Sequence, residues 1–134
     1  MGFVRGFGLK SGAIASTVAH YSHNIIVVGV DDGDLYGAIL RLKEINGGFV
    51  IVDGGRVISE LPLPVAGLMS NLDAEEISKR IRALKEAARR LGCRVRDPFM
   101  TLSFLSLPVV PRLKITDHGL IDSERLRVVS LFLD

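Results

Sequence analysis

The chain has 134 residues, 48% of them hydrophobic and 24% charged, with a net charge of +2 at pH 7. That length fits one domain with a real core and leaves little room for two. The charge is too weak to argue for nucleic acid, and with no Trp and 6% aromatics there is no base-stacking platform. A single cysteine, Cys93, excludes an internal disulfide and fits a reducing, cytoplasmic setting. The mean hydropathy of +0.34 is high for a soluble domain, so either the core is large or some apolar surface is meant for a partner.

In chain order, Met1 to Gly12 carries glycine at positions 2, 6, 8 and 12 and lacks a continuous apolar stretch. It reads as an irregular or flexible Gly-rich lead-in (1–12) to a domain spanning 13–134, not as a signal peptide. Two β-type runs follow, Ala13 to Ala19 and Ile25 to Val30, joined by the polar His20-Tyr21-Ser22-His23-Asn24 as a hairpin or tight corner. Asp31-Asp32-Gly33-Asp34 offers an N-cap and early negative charge to a helix, on which Leu35, Ile39, Leu42 and Ile45 recur at helical spacing before Asn46-Gly47-Gly48 stops it. Phe49 to Val52, Asp53-Gly54-Gly55 and Val57 to Leu61 read as a hairpin that Pro62 and Pro64 end.

The clearest helix runs from Asp73 to Leu91. Asp73 and Glu76 form an Asp-type capping box, and Ile77, Ile81, Leu84, Ala88 and Leu91 form one apolar stripe. Arg89, Arg90 and Gly92 suit its C-terminal end. Beyond Pro98, Met100 to Leu107 is apolar and reads as a short buried strand. Pro108 and Pro111 bracket a bend, and Leu113 to Thr116 and Arg127 to Leu133 read as closing strands. The order predicts an α+β (mixed α/β) fold, a single compact domain with β-hairpins and two main helices, without a regular βαβ ladder.

The densest polar cluster is the His20–Asn24 segment. His20 and His23, three apart, would share a metal only if the segment were helical, and no third ligand is set by spacing; Asp31, Asp32 and His118 are the candidates. A triad through Ser22 lacks a nucleophile elbow. The simpler readings are a loop whose polar side chains bond its own backbone, or one that faces a site built by another domain. Asp31 to Asp34 lacks the ligand register and closing Glu of a calcium loop and reads as helix capping. The basic run Lys79, Arg80, Arg82, Lys85, Arg89 and Arg90 is interspersed with Glu75, Glu76 and Glu86, as on a solvated helix face with internal ion pairs. Cys93 follows a helix C-terminus, where the dipole disfavours a thiolate.

Four stretches resemble one family. The run from Gly12 to Ile25, with Ala19-His20-Tyr21-Ser22-His23-Asn24 at its heart, is similar to the opening of the adenine deaminase C-terminal domain. Glu60-Leu61-Pro62-Leu63-Pro64-Val65-Ala66-Gly67-Leu68-Met69-Ser70 resembles its second signature. Asp97 to Pro111 resembles its third, and Leu113 to Asp122 its closing element. The family pattern reads Ala-His-Asp-Ser-His-Asn, so Tyr21 stands here in the place of an Asp; a hydroxyl cannot hold the charge a carboxylate would.

The resemblance implies a role in hydrolysis of adenine to hypoxanthine and ammonia by an amidohydrolase. In that family manganese or iron sits in a preceding (β/α)₈ barrel and activates a water that attacks the purine. The 134 residues are too few for such a barrel, which takes about 200 or more. The resemblance therefore implies an accessory domain or subunit, expected inactive alone, with no catalytic or metal residue of its own. Its expected partner is an amidohydrolase barrel, with self-association as a further option and neither nucleic acid nor membrane. His20, Ser22, His23 and Asn24 are the candidates to face the barrel or its pocket. Tyr21 motivates the alternative, a stand-alone binding or oligomerisation module, and His20 with His23 a third, an independent metal hydrolase.

Overall fold

The structure, a computed structural model, describes residues 1–20 and 22–132. In chain order the first element is β1 (Ala13–Ser16), then β2 (Ile26–Gly29), α1 (Asp32–Glu44), β3 (Gly48–Asp53) and β4 (Arg56–Pro62). After these come α2 (Ala74–Arg90), α3 (Pro98–Phe104), β5 (Leu113–Thr116), β6 (Gly119–Asp122) and β7 (Arg127–Val128). Four strands form an antiparallel sheet in the order β2-β1-β3-β4, and β5, β6 and β7 form a small antiparallel sheet. Because β2 and β3 both run antiparallel to β1 and flank it, they are parallel to each other. The chain between them is a split β-α-β unit with β1 in its gap.

Helices cover both faces of the main sheet, and this explains the continuous apolar runs in its central strands. Successive residues point to opposite sides. Ala13, Ala15, Val50 and Val52 pack with Ala38 and Leu42 of α1. Ile14 and Ile51 pack instead with Leu84 and Ala88 of α2 and with Phe99 and Leu102 of α3. Alanines on β1 facing Ala38 let α1 lie close to the sheet. Truncating Ile14, Leu84 or Leu102, each fully buried, would cost about 2–5 kcal/mol.

Local signals set the helix ends. Asp31 caps α1 by accepting a hydrogen bond from the Asp34 amide at 2.9 Å, and Asp73 caps α2 through the Glu76 amide at 2.8 Å. The ion pairs Glu75–Lys79, Glu76–Arg80 and Glu86–Arg90 run along the exposed side of α2, as its charge pattern predicts. Cys93 is buried in the core beyond the end of α2.

Two expectations are corrected. Met100 to Leu107 is not a strand. Asp97 accepts from the Met100 amide, Pro98 occupies the first helical turn, and the run begins as α3. Its apolar residues fill the core from a helix, so periodicity over so short a stretch cannot tell the two apart. The closing strand expected over Arg127 to Leu133 is confined to Arg127–Val128 among the described residues; Leu133 lies outside them. Leu113 to Thr116 is a strand as expected, and it pairs with β6 as a hairpin. The lead-in is irregular, yet it is tied down. Phe7 is buried in the core, its carbonyl accepts from the Arg94 amide at 2.8 Å, and the Lys10 amide donates to the Leu91 carbonyl at 2.9 Å.

Candidate functional site

The elements above bring three of the four signature stretches together. Thr17, just past β1, makes the first junction. Its hydroxyl donates to the Gly67 carbonyl at 2.6 Å and accepts from the Gly48 amide at 2.8 Å. Gly48 and Gly67 are both buried, so one side chain satisfies two main-chain groups that water does not reach. The approach is so close that a Cβ on Gly47 would lie 2.6 Å from the Gly67 Cα.

The second junction is a cavity of about 250 Å³. Val18 and His20 reach it from the first signature stretch, and Asp97, Phe99, Met100 and Ser103 from the third. Phe49 of β3 and Ile81, Leu84 and Lys85 of α2 complete it. Residues 81, 84 and 85 fall on one helix face because neighbours three and four apart lie above one another. The Phe49 and Phe99 rings meet at 4.6 Å with a tilt of 47°. The half-buried His20 ring meets Phe104 edge-on at 4.4 Å and 68°. Lys85 donates to Asp97, whose other carboxylate oxygen caps α3. The main chain of His20 is also held, since its amide donates to the Ser103 carbonyl at 3.4 Å and its carbonyl accepts from the Ser106 hydroxyl at 3.3 Å.

The polar cluster does not converge on one point. His20 turns toward the cavity with Phe104. Ser22 and Asn24 are exposed, and the Asn24 amide donates to the Ser22 hydroxyl at 3.0 Å. They line a different feature, a groove of about 1290 Å³ between the lead-in, β2 and the β5–β6 hairpin. His23 is exposed, with a positive φ of 52°. Tyr21 lies outside the described residues. Among the described residues, no group of three or more His, Cys, Asp or Glu side chains is placed to hold a metal ion. His20, His23 and His118 with Asp31 and Asp32 do not assemble a ligand set. Asp31 is committed to capping α1 instead.

Two carboxylates do work that the sequence hides. Asp34 is buried and accepts from the Gly54 and Gly55 amides at 3.0 and 2.7 Å, clasping the β3–β4 turn to α1. Glu60, in the second signature stretch, accepts two hydrogen bonds from the Arg41 guanidinium at 2.7 and 2.8 Å. Those bonds hold the Glu60 carboxyl below its ordinary range, against the opposing effect of burial, and they raise Arg41 above its own. The residues missed at the cavity were Phe49, Lys85, Asp97, Phe99 and Ser103. Asp97-Pro98, a cap residue followed by a first-turn proline, was the available signal.

Comparison with known proteins decides the lineage. Residues 1–127 match the family described as adenine deaminase C-terminal domain. The chain belongs to that family. An adenine deaminase of Methylobacterium nodulans is 56% identical over 128 residues, covering 96% of this chain and 23% of the relative. That of Archaeoglobus fulgidus is 53% identical over 132 residues, covering 98% and 24%, and that of Desulfatibacillum aliphaticivorans 52% identical, covering 98% and 23%. The chain thus spans about a quarter of the length of the curated relatives it matches. No described helix is long and apolar enough to cross a membrane.

Proposed function

We propose that the chain is the accessory C-terminal part of an adenine deaminase, whether joined to the rest or made as a separate subunit. Its role is to pack on a metal-bearing barrel and help shape the deamination site. The observation that carries this reading is family membership across residues 1–127, together with a share of only 23% of a relative named adenine deaminase. The groove lined by Met1, Phe3, Ile25, Val30 and Leu113 supports it. These large apolar side chains stand 42–89% exposed around one concavity, a surface a partner could cover.

On this reading manganese or iron belongs to the barrel, where it would activate the attacking water. Among the described residues no group is placed to hold a metal ion, and no step is assigned to them. Ser22 and Asn24, on the groove, are the residues proposed to face the barrel; His20 supports the loop from the cavity side, with His23 exposed between them. A cytoplasmic setting, without nucleic-acid or membrane partners, goes with this reading.

The test is ammonia release from adenine. The chain alone should be inactive, and activity should appear when it is combined with the remaining three quarters of an adenine deaminase polypeptide. Full activity of the metal-free chain alone would refute the proposal. Tyr21 in the place of the family Asp favours one second reading, a binding or self-association module. That reading predicts a stable complex, or a stable dimer, without gain of deamination.

A further inference from the structure

The two outer strands of the main sheet, β2 and β4, are built differently. β4 carries Arg56, Glu60 and Pro62, and its ladder with β3 shifts register at Ile51 and Val52. Charge, proline and irregular register are the devices that keep a sheet edge from pairing with another strand. Residues 25–30, which contain β2, read Ile-Ile-Val-Val-Gly-Val and pair with β1 in unbroken register. In an antiparallel pair, residues alternate between bonding the neighbouring strand and pointing away from it. The Val30 amide donates to the Gly12 carbonyl at 3.1 Å, and Ala13 lies opposite Gly29. Ile26 and Val28 therefore bond β1, while the N–H and C=O groups of Val27 and Gly29 point outward. Among the described residues no main-chain group takes them up.

The groove of about 1290 Å³ runs along this edge, and every residue from 25 to 30 lines it. Successive strand residues face opposite sides of a sheet, so a cleft that takes in all of them lies edge-on to β2. Its walls are apolar, with Leu35 and Ile39 of α1 on one side of the sheet and Leu105 and Ile115 on the other, all half-buried. An extended segment laid there would continue the ladder and send alternate side chains to the two walls. Its chemistry is thereby set: a stretch as long as residues 25–30, apolar on both faces, with main-chain groups free to bond. Met1 and Phe3 stand 89% and 83% exposed on the same groove. The matched family is a C-terminal domain, and the chain spans 23% of a relative. In that relative the bulk of the polypeptide therefore precedes the matched stretch and reaches the domain at the lead-in, beside the β2 edge. Tethering there gives a strand of the preceding part a higher effective concentration than any free partner.

We propose that the β2 edge is completed by strand addition: an extended apolar segment of the preceding, barrel-bearing part of the deaminase polypeptide bonds the outward groups of Val27 and Gly29. It adds a fifth strand to the four-stranded sheet. This pairing rests on the accessory-domain reading and deepens it, since it names the edge and the main-chain groups through which the two parts are joined.

The experiment is amide hydrogen exchange by NMR on the labelled 134-residue chain, alone and combined with the remaining three quarters of an adenine deaminase polypeptide. Alone, the Val27 and Gly29 amides should exchange fast and the Val28 amide, bonded to β1, slowly. In the complex the first two should slow by about tenfold or more. Val27→Pro removes an outward N–H and no bond to β1. It should weaken the complex by about tenfold or more while the circular dichroism stays that of the parent. Should that variant fail to fold, Ile25→Lys, at a 42% exposed site on the groove, should give a several-fold loss. Deamination on mixing, with exchange at Val27 and Gly29 unchanged, would overturn the pairing and leave the accessory-domain reading standing. Neither complex nor deamination would remove both. Protection that rises with the concentration of the chain alone would put a second copy in the groove and overturn the assignment of the strand, as would undiminished binding by a folded Val27→Pro or Ile25→Lys variant.

Discussion

Replacing Thr17 by Val tests how much of the fold hangs on one hydroxyl. Val keeps the shape and the β-branch but removes the oxygen that serves Gly67 and Gly48. Two buried main-chain groups, one C=O and one N–H, then lose their partner. Each such loss costs about 1–3 kcal/mol when water cannot replace it. Thr17 is itself partly exposed, so some hydration of the gap is allowed, and the sum falls at about 2–4 kcal/mol. Against a total of about 5–15 kcal/mol for a domain, that is a large fraction. It should lower the thermal midpoint by on the order of 10 °C. Urea unfolding followed by circular dichroism reads the effect as a fall in midpoint at unchanged slope. Thr17→Ser keeps the oxygen and should recover most of the loss. A Thr17→Val midpoint within about 0.5 kcal/mol of the parent would refute the assignment.

Asp34→Ala should unclasp the Gly54–Gly55 turn from α1 and cost about 2–3 kcal/mol, since two charge-assisted bonds to main-chain amides are lost; an unchanged urea midpoint would contradict this. Gly48→Ala should be severely destabilising, by about 3 kcal/mol or more, because φ is +144° and a Cβ there would meet the Leu61 carbonyl oxygen at 2.2 Å; soluble, fully cooperative variant protein would count against it. Glu60→Gln should lower stability near neutral pH by about 1 kcal/mol, as expected for a bidentate surface pair. Glu60 titrates below its unfolded value of about 4.3. Its contribution is therefore present above that value and lost as pH falls through the depressed one, so parent and variant stability curves should converge in acid. Chain equilibrated with manganese or iron and then dialysed should retain far less than one ion per molecule by elemental analysis; a stoichiometric ion would restore the reading of His20 and His23 as ligands.

Much of this architecture follows from local rules that a short stretch carries within itself. Asp73, Glu76 and the stripe from Ile77 to Leu91 specify α2 because capping and 3.6-residue periodicity act within a few turns. Asp53-Gly54-Gly55 likewise places the β3–β4 turn, and the four signature stretches carry the family. Other features depend on contacts between residues distant along the chain. Whether the apolar run after Asp97 is strand or helix is settled by where Phe99 and Leu102 find a core to fill. The division of the His20–Asn24 segment between a cavity and a groove has the same origin. His20 is drawn to Phe104, more than eighty positions away, while Ser22 and Asn24 bond each other at the surface. Asp34 reads from its neighbours as one more capping carboxylate; only the closure of β3 and β4 over α1 brings it the two amides it binds. Side-chain types announce what a residue can bond, and packing chooses the partner because burying a polar group is tolerable only where one is in reach.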